Sequence, residues 1–148
     1  VTERNAHATS ESHLLTGGTS GLGLLTGRWL AQRGARGLIL ASRSGSLAKD
    51  MGAEWDAVQA SAAAPSLEQC DTSEIAHVAH LVAVAPSPSS VWHAAGVLAD
   101  AVLPKQDAAR LARVCAPKAH GAWCLHAASM ASAMHTCALF SSVAALLG

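Results

Sequence analysis

The chain has 148 residues, 51% of them apolar and many of those alanine, and its ten basic side chains balance ten acidic ones. This length suffices for one domain with a buried core, and the charge balance removes the electrostatic case for binding nucleic acid or an anionic membrane surface. No apolar run approaches the ~20 residues that a bilayer crossing needs, and the polar opening from Thr2 to Ser12 lacks the apolar centre of a signal peptide, so a soluble cytoplasmic protein is expected.

Residues 1–12 read as a polar lead-in and 13–148 as the folded body. A first strand at Leu14-Leu15 enters the run Thr16-Gly17-Gly18-Thr19-Ser20-Gly21-Leu22-Gly23 and leaves it as an amphipathic helix over Leu24 to Arg33, with Leu22, Leu25 and Trp29 as its buried face. Gly34 stops that helix, and Gly37 to Ala41 is a short apolar run suited to a strand buried on both sides. The polar cluster Ser42 to Ser46 ends it. An alanine-rich helix follows over Leu47 to Ala63, then a break at Pro65 and a third strand at Ser66 to Cys70. Asp71-Thr72-Ser73-Glu74 carries a capping signal ahead of Ile75, Val78, Leu81 and Val82, which recur at helical spacing until Pro86 and Pro88. A fourth strand starts at Ser90 and runs into a loop at Ala94-Ala95-Gly96. A long helix from Gln106 to Ser132, bent at Pro117, precedes a fifth strand at Thr136 to Phe140. Trp92 and Trp123 read as packing residues.

Strands that alternate with helices imply a Rossmann-like α/β fold, a doubly wound parallel sheet with ligands gathering at the carboxyl ends of its strands. The glycine turn, Ser42-Arg43, Asp71, Ala94 to Gly96 and Ser141-Ser142 all fall at such ends. Cys70, Cys115, Cys124 and Cys137 show no CxxC pair, which favours reduced, buried thiols over disulfides or zinc. His120 and Cys124 stand four apart on an expected helix, but structural zinc takes four ligands and no second pair accompanies them, so no metal is expected. Most of the eight histidines read as surface or polar-rim residues.

A strand, a glycine turn and a helix form a phosphate-binding arrangement. Glycine admits sharp backbone turns and the close approach of a pyrophosphate, and the unpaired N–H groups at a helix start favour negative charge. The position after the second strand selects the dinucleotide. An acidic residue there would hold a ribose 2′-hydroxyl, whereas Ser42 and Arg43 suit a 2′-phosphate, which favours NADPH over NADH. Asp71 suits the adenine amino group and equally the N-cap of the next helix.

These blocks, with Ala116-Pro117-Lys118-Ala119-His120-Gly121 and Leu139-Phe140-Ser141-Ser142-Val143-Ala144, resemble the ketoreductase domain of modular polyketide synthases, in the short-chain dehydrogenase/reductase superfamily. The resemblance covers nearly everything after Ser12. It implies that Thr16 to Gly23 (Thr16, Gly17, Gly18, Thr19, Ser20, Gly21, Leu22 and Gly23) cradle the NADPH pyrophosphate, that Ser42 and Arg43 take the 2′-phosphate, that Asp71 meets the adenine, and that Ala94, Ala95 and Gly96 line the cleft by the ribose. Lys118 and Ser142 match catalytic lysine and serine positions. The family's proton-donating tyrosine and the asparagine after it lie beyond that serine, and the chain contains no tyrosine, which reads as a truncated reductase. The implied substrate is a β-ketoacyl group on the phosphopantetheine arm of an acyl carrier protein, with neighbouring synthase domains as partners. A fatty acid synthase ketoreductase and a non-catalytic dinucleotide-binding or scaffolding remnant are the alternatives. Leu98-Ala99-Asp100 departs from the Leu-Asp-Asp that marks one stereochemical class.

Overall fold

The computed structural model describes residues 12–85, 88–99, 101–130 and 134–142. Five strands, β1 (Ser12–Thr16), β2 (Gly37–Ser42), β3 (Ala64–Gln69), β4 (Ser90–His93) and β5 (Thr136–Leu139), lie parallel in the order β3-β2-β1-β4-β5. The chain therefore winds outward from β1 on one side and returns past it on the other, the Rossmann-like arrangement expected. All five residues of β1 are buried, as a central parallel strand requires.

The alternation of side chains along the strands divides the core in two. Leu15, Leu38 and Leu40 face α1 (Gly21–Gln32) and α2 (Gly52–Gln59), where Leu24, Leu30 and Val58 meet them. Leu14, Ile39, Ala41 and Val91 face α3 (Ile75–Val84) and α5 (Gly121–Ser129), packing on Val78, Leu81, Cys124 and Leu125. Each leucine buried completely here, such as Leu14 or Leu40, contributes about 1.5–3 kcal/mol of transfer free energy.

Helix α1 corrects the expected apolar face. Leu22, Leu25 and Trp29 are exposed, and the buried residues are Gly23, Leu24, Gly27, Leu30 and Ala31. The reason is close approach. A Cβ at Gly23 would overlap the Gly17 carbonyl, and one at Gly27 would lie 3.1 Å from Leu40 Cδ2. Glycines let the helix axis settle onto the sheet, and that turns the bulky stripe outward. Trp29 meets half-buried Trp92 edge to face at 6.3 Å, with the Arg33 guanidinium 4.8 Å from its ring centre.

Other elements differ at their ends. Helix α2 begins at Gly52 rather than Leu47, and it ends early because Ser61 competes for the backbone: its hydroxyl donates to the Val58 carbonyl at 2.6 Å and accepts from the Ala63 N–H at 3.1 Å. Strand β3 runs through Pro65, which an edge strand tolerates because half of its N–H groups have no ladder partner. Asp71 does not cap α3. Its Oδ1 accepts from the Ser73 N–H at 3.0 Å and the Ser73 hydroxyl at 2.6 Å in a local turn, and Glu74 stands at the cap position without a side-chain bond.

The long expected helix resolves into α4 (Ala108–Cys115), a π-helical turn over Ala116–His120, and α5. Pro117 has no N–H to give and its ring crowds the preceding turn; the ladder widens there, and the Gly121 N–H bonds the Ala116 carbonyl five residues back. Trp123 is exposed beside His126 rather than packed inside. Cys70 and Cys124 are buried, but Cys115 and Cys137 are exposed. His13 and His93 are buried, away from the rim. Pro86, Asp100, Ser132, Val143 and Ala144 lie outside the described residues.

Gly23→Ala is expected to destabilise the fold by at least about 2 kcal/mol through overpacking against the Gly17 backbone. Gly52→Ala, where a Cβ meets nothing within 4 Å, is expected to stay within about 1 kcal/mol of wild type or to stabilise slightly. Urea midpoints for the two variants check the pair.

Candidate functional site

The loop from β1 to α1 lies at the carboxyl end of the sheet. Gly17 adopts φ +70°, and a Cβ there would sit 2.7 Å from the Ala94 carbonyl and the Ala95 N–H nitrogen, so this loop rests directly on the chain leaving β4. Gly21 adopts φ +45° with open space where its side chain would be. Ser20 precedes α1 in an extended conformation without capping it, and no acidic residue occupies the first turn. The first N–H groups of a helix have no partner within it and carry about half a positive charge between them. A twelve-residue helix thus begins beside open space with no carboxylate to neutralise it.

Three cavities join into one cleft through shared walls. A polar pocket at the end of β2 is formed by Thr19, Ser20, Ser42, Arg43, Ser44, Ser46 and Ala48. Thr19, Ser20, Ser42 and Arg43 also line a central cavity with Gly17, Cys70, Thr72, Ala95, Gly96, Val97 and Pro117. Gly96 and Val97 then pass into a third cavity that holds Leu22, Ala94, Leu98, Val114, Lys118, Phe140, Ser141 and Ser142. Lys118, on the π turn, and Ser142, past β5, are brought together there from separate elements. A Cβ at Gly96 would lie 3.0 Å from Lys118 Cε, so a glycine leaves the lysine arm its path.

Hydrogen bonds across the sheet end hold these walls. The Gly18 N–H donates to the Ala41 carbonyl at 3.1 Å, the Ala48 N–H to the Thr19 carbonyl at 3.1 Å, and the Cys70 N–H to the Ser42 carbonyl at 2.8 Å. The Arg43 carbonyl accepts from Gln69 Nε2 at 3.0 Å. Its guanidinium is exposed and joins no ion pair among the described residues. Asp71 stands between the cleft residues Cys70 and Thr72. The Ser73 hydroxyl holds its carboxyl below the ordinary range, with the Ser73 N–H, Arg43 and His77 adding to the effect and burial opposing it.

Not every residue singled out from the sequence lines the cleft. Thr16 is fully buried, its hydroxyl 2.6 Å from His93 Nδ1. Gly18 and Gly23 lie beneath the loop and permit its close packing. Thr72, Val97, Pro117 and Phe140 line the cleft without having been singled out. Phe140 carried one usable signal, as the chain's single phenylalanine beside the serine pair; Thr72 and Pro117 enter only because the loop before α3 and the π turn converge.

The KR domain model matches residues 11–148. The chain belongs to the ketoreductase domain family. Ketoreductase domains are short-chain dehydrogenase/reductase-type oxidoreductases that bind nicotinamide dinucleotides. Among relatives, the polyketide synthase GfsB of Streptomyces halstedii is 41% identical over 138 residues, which cover 91% of this chain and 2% of that protein. The hybrid PKS-NRPS synthetase pyvA of Aspergillus violaceofuscus is 34% identical over 144 residues, 97% of this chain and 4% of that protein. The solved first ketoreductase of the tylosin PKS superposes with a TM-score of 0.84 at 32% identity, over 93% of this chain and 30% of that one. The ketoreductase chain thus spans a small part of the large synthases that it matches.

Burial pushes the Cys70 thiol up to about 11, with the Asp71 carboxylate and Cys124 adding to the effect, and burial raises Cys124 as well. In the folded ketoreductase at pH 8, Cys115 and Cys137 are therefore expected to react with Ellman's reagent, while Cys70 and Cys124 react only after unfolding. Rapid labelling of Cys70 in the native state would contradict this arrangement.

Proposed function

We propose that the chain is the NADPH-binding part of a β-ketoacyl reductase in a polyketide synthase, serving reduction of a β-ketoacyl thioester on the phosphopantetheine arm of an acyl carrier protein to the β-hydroxyacyl form. The observation that carries this reading is the continuous cleft from Arg43, past the start of α1, to Lys118 and Ser142. Its parts suit the cofactor. The positive-φ glycine with open space at Gly21 leaves room for a pyrophosphate, the uncapped start of α1 offers it N–H donors, and Arg43 with Ser42, Ser44 and Ser46 offers a 2′-phosphate a forked cation and hydroxyls.

In this reading Gly17, Thr19, Ser20, Gly21 and Leu22 hold the pyrophosphate side, with Thr16, Gly18 and Gly23 shaping the loop beneath. Asp71 flanks the adenine, and Ala94, Ala95 and Gly96 line the path to the nicotinamide. Bound there, NADPH supplies a hydride for the carbonyl carbon. Ser142 donates a hydrogen bond to the carbonyl oxygen as negative charge gathers on it. Lys118 places a cation at the same cavity and helps to hold the ribose. Leu98, Val114 and Phe140 offer the acyl chain apolar contacts. The synthase setting rests on the relatives, which are polyketide synthases.

A second reading applies to these 148 residues taken alone: they contain no tyrosine, and the proton donor of this family is a phenol. By itself the polypeptide then binds the dinucleotide without reducing anything. Titration of the chain with NADPH, followed by nicotinamide fluorescence, is expected to show tighter binding than NADH. Arg43→Ala is expected to weaken NADPH by about 10–100-fold, the worth of a charged bond to phosphate, and to leave NADH nearly unchanged. Equal affinity for the two dinucleotides in wild type would overturn the cofactor assignment. With a β-ketoacyl thioester added, NADPH oxidation is expected to stay at background; turnover at a rate of about 1 s⁻¹ or more would refute the need for the phenol.

A further inference from the structure

We propose that His93 is a positioning residue that fixes the backbone of the π turn and thereby aims Lys118 into the cleft. His93 closes β4 and is only 3% exposed. Its two ring nitrogens meet two different elements: Nδ1 lies 2.6 Å from the Thr16 hydroxyl at the end of β1, and Nε2 lies 3.3 Å from the Lys118 carbonyl on the π turn. A carbonyl can only accept. A neutral imidazole that serves both partners therefore carries its proton on Nε2, donates to Lys118, and accepts at Nδ1 from Thr16. The opposite tautomer would set a nitrogen lone pair against the carbonyl oxygen.

The π turn needs such support. Pro117 removes a backbone donor, the ladder widens there, and within the turn a single donor, the Gly121 N–H, is shared between the Ala116 and Lys118 carbonyls. Thr72 supplies one bond, its hydroxyl donating to the Pro117 carbonyl at 3.3 Å, and His93 supplies the next. Gly121 leaves space for both: a Cβ there would lie 2.8 Å from Thr72 Oγ1 and 3.3 Å from His93 Cε1. The side-chain end of Lys118 lies on the same side, where Gly96, three residues past His93, leaves room for Cε. Burial, followed by the nearby Lys118 charge, keeps His93 below the ordinary histidine range against the pull of the two carbonyls, which agrees with a neutral ring.

The affinity test rests on the cofactor reading above; two other measurements do not. Long-range ¹H–¹⁵N NMR of the chain at pH 7 is expected to show His93 in the Nε2-protonated neutral form. His93→Gln keeps an amide donor long enough to reach the Lys118 carbonyl, whereas the shorter amide of His93→Asn reaches only the Thr16 side. NADPH affinity is expected to fall about fivefold in His93→Asn and to stay within about twofold of wild type in His93→Gln, the worth of one hydrogen bond. A crystal structure of His93→Asn is expected to show the Lys118 backbone displaced. An Nδ1-protonated ring, or equal affinities and an unmoved π turn in the two variants, would overturn the proposal. If both variants lose thermal stability and affinity to the same extent, the role is merely structural and the proposal fails. If wild type binds no NADPH, the cofactor reading falls alone, and the tautomer and the turn geometry still decide the role of His93.

Discussion

The contact on which the rest of the molecule depends is one of backbone against backbone, where the loop after β1 is pressed between the first turn of α1 and the chain leaving β4. Gly17 has no room for a side chain against Ala94 and Ala95, and Gly23 has none against the Gly17 carbonyl. Any Cβ at these points would push α1 outward or lift the loop from the sheet. Because neither happens, the start of α1 arrives at the carboxyl end of β1 with its uncapped N–H groups beside open space. The same contact explains the fate of the apolar residues on α1, since the face that touches the sheet must be the face without bulk.

Polar residues inside the sheet serve alignment as well as chemistry. Strands β1 and β4 pair with His13 opposite Ser90 and Thr16 opposite His93, and each of these cross-strand neighbours is also joined by a side-chain hydrogen bond. A slip of one residue between these strands would separate both pairs and leave buried donors and acceptors unmatched, at about 1–3 kcal/mol for each group. The leucines between them would tolerate a shift far better. Register at the centre of the sheet is thus held by its few polar side chains, and so is the alignment of the glycine loop with Ala94 to Gly96.

The cleft divides into regions of different character. Around Arg43 it is rich in hydroxyls and open to solvent, which suits a highly charged, well-solvated group. Around Lys118 and Ser142 it carries more apolar side chains, Leu22, Leu98, Val114 and Phe140, of which Leu22 and Leu98 remain exposed. This change from hydroxyl-rich and cationic to more apolar suits the proposed ligand, with phosphates at one end and reacting carbon at the other. The roles proposed for Lys118 and Ser142 come from the family relationship, and the one proposed for Arg43 comes also from the chemistry of its side chain.

Much of this was legible along the chain. The alternation of strands and helices, the glycine turn with its helix, Ser42-Arg43 after β2, and the serine pair after β5 all follow from local rules, because backbone conformation, helix initiation and strand propensity depend on near neighbours. Counting apolar residues misplaced the face of α1, since glycine adds almost nothing to an apolar stripe even when it makes the tightest contact. It also could not separate α2 from the serine turn that cuts it short, or foresee that Pro117 would widen the helix rather than only bend it. The places of Thr72, Pro117 and His93 were decided by the tertiary structure alone. A hydrogen bond from His93 to Lys118 or from Thr72 to Pro117 spans 25 or 45 residues and forms only when separate elements converge to within about 3 Å, a distance set by the packing of the whole sheet and its helices.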